Sequence, residues 1–197
     1  MAAGLRDCKP HASLDEFVED LGVAHRAQRA RYHLMLMGSA AVDALRRGLH
    51  HADPKVRVGC CIILDHHLDS SCVPDLIDNL THHDPEVRAW AAHALACDKC
   101  KEGACRPGED EVIPLAIEML RTDQHHFVRE RLIGVLGPAV HHRADVMDVL
   151  VEAHQRDSHP TVRKLAGWWI PGGPRFERTR PRQRRQERAV VSAITAR

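Results

Sequence analysis

Aromatic side chains are scarce: three Trp, one Tyr and three Phe make up 4% of the 197 residues, against 44% hydrophobic residues in all. Sheets favour aromatic and β-branched residues, so a core drawn from abundant Ala, Leu and Val suits closely packed helices. No apolar run approaches the roughly 20 residues that a membrane span needs. The opening MAAGLRDCKPHASLDEF lacks the continuous apolar core of an export signal, and the cytoplasm is the expected compartment. Without such a signal, seven cysteines, an odd number, point to thiols or metal ligands before a disulfide framework. Missing too are GxSxG, HExxH and a phosphate-cradling glycine loop, so the expectation is a chain that is not an enzyme.

A large excess of either charge is also absent, the net value being +1. The balance is uneven along the chain. From Pro171 onward eight arginines face two glutamates, a balance of +6, and the preceding 170 residues carry 20 basic against 25 acidic side chains, or −5. A mildly acidic body with a basic end differs from a uniformly basic nucleic-acid binder.

What the sequence has is a recurring phrase. HHADPKVR begins at His50 and HHDPEVR at His82, and Val-Arg returns at Val128-Arg129 and Val162-Arg163. The intervals of 31, 41 and 34 residues fall in the range of paired-helix solenoids. Asp53 and Asp84 suit the N-cap, where a carboxylate accepts from orphan backbone N–H groups, and Pro54 and Pro85 suit the first helical position. His125 and His159 stand at the same place in the later copies and should cap less well. Apolar residues then follow at helical spacing, as in Val56, Cys60, Ile63 and Leu64, or Val128, Leu132, Val135 and Leu136. After a turn comes a second helix, starting near Cys72, Glu111 and Asp145. No such hairpin buries its stripe alone, so neighbours must stack.

DPKVRVGCCIILDHH and DPEVRAWAAHALA resemble HEAT repeats of the Asp-Pro-x-Val-Arg type found in bacterial HEAT-repeat domain-containing proteins, over about residues 40–170. The resemblance implies an all-α, right-handed α-solenoid of stacked antiparallel helix pairs in one domain. It also implies an Asp–Arg ladder across the inter-repeat turns, carried by Asp53, Asp84, Arg57 and Arg88 and interrupted at His125 and His159. HHLD and HHDP differ from the paired His-Glu motifs of HEAT-fold deoxyhypusine hydroxylases, so that di-iron chemistry does not transfer. The expected organisation is a degenerate capping repeat with N-terminal helices over 1–49, repeats over 50–170, and a basic, flexible tail over 171–197. The capping segment opens with the box Ser13-Leu14-Asp15-Glu16 and continues in helices over Ala24–Met37 and 40–49. The last repeat helix, over 161–170, should stop at the PGGP of residues 171–174.

The second copy is lengthened by an insertion, CDKCKEGACRPGED, over residues 97–110. Its Cys97, Cys100 and Cys105 could supply three thiolates to a structural Zn²⁺, which prefers four soft ligands in a tetrahedron. The repeat offsets bring Cys97 beside His66 and Cys100 beside His141, so His66, His67, His141 or His142 could complete the set. Alternatively Cys97 packs as a small apolar residue, the lysines of the loop solubilise it, or two thiols form a redox pair. Comparable CxxCK insertions occur in similar bacterial HEAT proteins. The doublets at 50–51, 82–83 and 125–126 share one edge, either as exposed turn residues or as a metal or pH-sensing patch.

Trp90 reads as a packing residue. Trp168 and Trp169 point about 100° apart on a helix, so both cannot face the core, and one of them marks a docking patch for the tail or a partner. The resulting function is a non-enzymatic scaffold whose second helices line a concave face for a protein or peptide. Asp75, Asp78, Glu118, Arg121, Asp148 and Glu152 would make the contacts, with Trp168 and Trp169 at the end of the stack. The alternative is a nucleic-acid-binding or DNA-repair protein working through the basic tail and an exposed Trp. A third reading, a relative of phycobilisome chromophore lyases, rests on the repeat alone. No membrane association is expected.

Overall fold

The computed structural model describes residues 13–67, 69–96 and 107–181. These are helices joined by short turns, with no strand among the described residues. The chain opens on α1 (Leu14–Asp20), where the Ser13 hydroxyl accepts from the Glu16 N–H at 3.2 Å and the Glu16 carboxylate accepts from the Ser13 N–H at 2.9 Å. This reciprocal box satisfies two orphan donors, as its sequence promised. Next come α2 (Ala24–Met37), ended by Gly38 at φ +54°, and α3 (Val42–Gly48).

Three hairpins follow, α4 (Pro54–Leu64) with α5 (Val73–Asn79), α6 (Pro85–Ala96) with α7 (Glu109–Thr122), and α8 (His126–Leu136) with α9 (Ala144–Arg156). A last first-type helix, α10 (Pro160–Gly167), precedes α11 (Pro174–Thr179). The first helices stack as a row, α4 on α6, α6 on α8 and α8 on α10, with α7 lying along α9. One apolar cluster runs through the whole row, from Val18 in α1 to Phe176 in α11. The Val of each Val-Arg pair, at 56, 87, 128 and 162, is buried.

The turns explain why Arg follows that Val. Each Arg side chain folds back onto the carbonyl six residues earlier: Arg57 donates to His51, Arg88 to His82, Arg129 to Asp123 and Arg163 to Asp157, at 2.6–2.9 Å. Those four residues in turn accept the backbone N–H two positions on. His51 and His82 do so through Nδ1, at 2.9 and 3.0 Å. Asp123 and Asp157 do so through Oδ1, at 2.9 and 2.8 Å. The early copies thus read His-x-Asp and the later ones Asp-x-His.

This swap corrects the ladder implied by the resemblance. Asp53 and Asp84 are occupied as caps, accepting from Lys55 and Glu86 N–H at 2.9 and 2.8 Å. The inter-repeat pairs run forward to the displaced acids instead. Arg88 grips Asp123 with two bonds of 2.7 and 3.0 Å, and Arg129 grips Asp157 with two of 2.8 Å. Arg57 meets no acid in the next copy, and its Nη1 donates at 3.1 Å to Oδ1 of buried Asn79. His125 and His159 make no side-chain cap, so those two caps are indeed the weaker ones.

The start of the tail is packed where flexibility was expected. After the PGGP break, Arg175 and Phe176 N–H groups both donate to the Trp168 carbonyl, at 3.0 and 2.9 Å, and Phe176 is buried. α10 already ends at Gly167, short of the expected residue 170, and the PGGP turn brings the chain back onto the stack. No described helix is long and apolar enough to cross a membrane.

Candidate functional site

The second helices bury one stripe each and leave the other to solvent, so their charges decide what that face can bind. In α5 the buried residues are Val73, Leu76 and Asn79; in α9 they are Val146, Val149, Leu150 and Ala153. Asp78, Glu118 and Asp148 are exposed between those stripes. The other three expected contact residues are engaged in pairs bridging neighbouring repeats. Arg46 donates to Asp75 at 2.8 Å, and Arg121 donates to Glu152 at 2.9 Å.

Asp43, Arg46, Arg47, His50 and Asp75 line a groove of about 270 Å³ where α3 meets α5. Burial alone would raise the Asp75 carboxyl, but hydrogen bonds from Arg46 and from His50 at 3.0 Å outweigh it and hold the group below its ordinary range. Asp75 is therefore a fixed anion held by Arg46 and His50. Arg46, Arg47 and His50 lie outside the expected contact set; their signal was position, on a second helix and the turn after it, one repeat before Asp75. Arg47 also donates to Asp15 of α1 at 2.6 Å, which ties the groove to the capping segment.

The insertion thiols Cys97, Cys100 and Cys105 lie outside the described residues. Of their candidate partners, His66 is exposed at the end of α4, and His67 stands beside it. On the far side the imidazoles are already taken up. His141 shares a 2.9 Å hydrogen bond with the Thr179 hydroxyl and packs on Phe176, and His142 bonds Glu109 at 3.0 Å. Next to His66 is a group that the sequence reading missed. Asp65 is buried, its Oδ1 has no hydrogen-bond partner, and its Oδ2 lies 3.6 Å from His93 Nε2 and 3.9 Å from His66 Nε2. The signal was available: Asp65 follows buried Cys61 by one helical turn and so falls on an inward stripe. Cys60, Cys61 and Cys72 are buried and free. Burial pushes the Cys61 thiol up to about 12, so it stays protonated and unreactive at neutral pH.

The adjacent tryptophans part as expected. Trp169 is 4% exposed, with its ring against Gly137, while Trp168 stays partly open beneath Lys164 and Arg175, at 5.8 and 6.0 Å. Its cover is thus the chain's own, from α10 and α11. Trp90 packs partly buried, with Arg131 5.8 Å over its ring and His93 at its edge.

Stacked helical hairpins with arginine-pinned turns define an α-solenoid repeat protein. Residues 42–137, just under half of the chain, match the HEAT-repeat family. No curated protein matches it in sequence. Among solved structures it is similar to a chain in "the complex of CpcE and CpcF of phycocyanin lyase from Nostoc sp. PCC7120", at 22% identity and a TM-score of 0.60. The match covers 78% of this chain and 95% of that one. At such identity the likeness is one of fold. It nevertheless overturns the expectation of a chain that is not an enzyme, because the same stack, nearly end to end, occurs in a lyase complex. The lack of a familiar nucleophile motif was too weak a ground for that exclusion.

Proposed function

We propose that this chain is a protein-binding HEAT module that seats a partner along its second-helix face. The observation that carries the reading is the division of charge on that face. Arg46–Asp75 and Arg121–Glu152 brace neighbouring repeats, while Asp78, Glu118 and Asp148 project from successive hairpins toward solvent. A row of outward carboxylates repels phosphate and favours a partner with a basic surface. A stacked face of this kind can supply the roughly 800 Å² per partner of a standard interface. The similar solved structure is a complex of two chains, CpcE and CpcF of phycocyanin lyase, which supports assembly as the working state, whether or not that assembly catalyses a reaction.

Within this reading the Cys-rich insertion is a structural Zn²⁺ site, with His66 the imidazole that completes it. The buried Asp65, with one oxygen unpartnered beside His66, supports a cationic centre there, since an uncompensated buried carboxylate is costly. Elemental analysis of the purified chain and of a variant with all three insertion cysteines changed to Ser tests it. One Zn per chain fewer in the variant than in the wild type is expected, and equal content in both sinks the site.

The partner reading is tested separately. The complex is isolated from the native host, and its affinity is remeasured with Asp78→Lys, Glu118→Lys and Asp148→Lys combined. A loss of about tenfold or more at unchanged helicity is expected, as for removal of well-placed interfacial charges. Undiminished affinity, or a chain that forms no complex, overturns it.

A further inference from the structure

At the junction of the third and fourth repeats three metal-ligating side chains meet away from the insertion. His126 opens α8, Glu130 lies one turn later, and His159 stands at the N-cap position of α10. One donor atom from each, two imidazole nitrogens and one carboxylate oxygen, all lie within 4.8 Å of one another. His126 Nδ1 is 3.0 Å from Glu130 Oε1, and His159 Nδ1 is 3.6 Å from the same oxygen. We propose that His126, Glu130 and His159 form a binding site for a divalent transition-metal cation of the Zn²⁺ class.

Three observations carry this. The first is spacing: ligand bonds of about 2.0–2.1 Å in a tetrahedron put donor atoms roughly 3.3 Å apart, which the two measured separations bracket. The second is an orphan. His159 Nδ1 is buried and has no hydrogen-bond partner, and such an atom normally finds one. A cation at the carboxylate would supply it. The third is preorganisation. The His159 N–H donates to Asp157 Oδ1 at 2.8 Å, and Asp157 is locked by the two bonds from Arg129. The ladder therefore holds the backbone of one ligand against the helix that carries the other two.

The two imidazoles stack at 3.7 Å, nearly parallel, with both Nδ1 atoms on the Glu130 side. Parallel rings cannot aim both lone pairs at one ion, so one must turn on binding. His126 is the free one, half-exposed and outside the ladder. Two nitrogens and one carboxylate oxygen suit Zn²⁺, Co²⁺, Ni²⁺ or Cu²⁺ better than Mg²⁺ or Ca²⁺, which prefer oxygen. The fourth position opens to solvent, where water or a partner's side chain completes the shell.

The test uses the untagged chain with Cys97, Cys100 and Cys105 changed to Ser, so that the thiolates of the insertion contribute nothing. Zn²⁺ alone is titrated by calorimetry, followed by Co²⁺ absorption spectra. One equivalent should bind, with cobalt bands of nitrogen–oxygen ligation and no sulfur charge-transfer band. His159→Ala and Glu130→Gln should each weaken binding by roughly tenfold or more, and His126→Ala, at an exposed position where folding is not at risk, should do the same. His125→Ala, its neighbour in the doublet, should change nothing. Failure of the Ser variant to bind Zn²⁺ overturns the site, as does a loss no larger in His126→Ala than in His125→Ala.

Discussion

His82 occupies, in the second copy, the position that Asp123 and Asp157 hold in the later ones. The exchange has a cost that depends on pH. Burial, the guanidinium of Arg57 and the neighbouring His83 together lower the His82 pKa from its ordinary 6.5, outweighing Asp84. Its neutral ring accepts the Asp84 N–H at Nδ1, which a proton there would forbid. Above pH 6.5 the ring is neutral both folded and unfolded. As pH falls through that value the unfolded chain takes up the proton more readily, so stability present above it is lost. His82→Asp supplies a carboxylate that accepts the same N–H and attracts Arg57. Denaturant titrations should show a gain of about 1 kcal/mol at neutral pH and a smaller loss below 6.5 than in the wild type. Parallel pH profiles for the two proteins would refute this account. Gly137 presents a simpler case. A Cβ there would sit 2.2 Å from the Trp169 ring, while the backbone is ordinary helix, so the constraint is steric. Gly137→Ala should cost about 2 kcal/mol, read as a lowered Tm.

At the scale of elements, helix spacing and turn chemistry made most of the stack legible beforehand. The capping box at Ser13, the helix over Ala24–Met37 and the Pro-led starts of α4 and α6 all follow from local rules. The ladder was legible only in part. Aligning copies on Val-Arg made His125 and His159 look like lost acids, whereas the carboxylates had moved two residues upstream, to Asp123 and Asp157. The candidate site was less legible still. Asp65, His93 and the His126–Glu130–His159 cluster come together across repeats, and no spacing within one helix specifies such contacts. The Arg129–Asp157 pair shows what the displaced acid contributes. Burial acts against the Asp157 charge, yet hydrogen bonds from Arg129 and the His159 N–H hold its pKa below the ordinary range. Both side chains are less than a tenth exposed. Asp157→Asn would leave a buried guanidinium uncompensated, and equilibrium unfolding should register a loss of about 3 kcal/mol. A loss below about 1 kcal/mol, the level of a surface ion pair, would mean that the pair is solvated in solution.

For the molecule as a whole, the stack has neighbours in one dimension and two dissimilar ends. At the first end α2 leaves Tyr32, Leu36 and Met37 exposed. At the other, α11 folds over the last hairpin, with Phe176 buried against His141 and two N–H groups of α11 on the Trp168 carbonyl. Stability in such arrays is close to a sum of unit and interface terms, so damage at one end should stay near that end. Phe176→Ala removes the anchor of α11 and should cost about 3 kcal/mol locally. Amide hydrogen exchange is the suitable measurement, because it resolves opening by segment. Protection should fall across α10 and α11 and at the adjoining turns of α8 and α9. Amides of α1 through α4, separated from the lesion by two intervening hairpins, should keep their wild-type rates. Uniform acceleration throughout would show instead that the repeats open as one cooperative unit, with the buried cluster from Val18 to Phe176 acting as a single core.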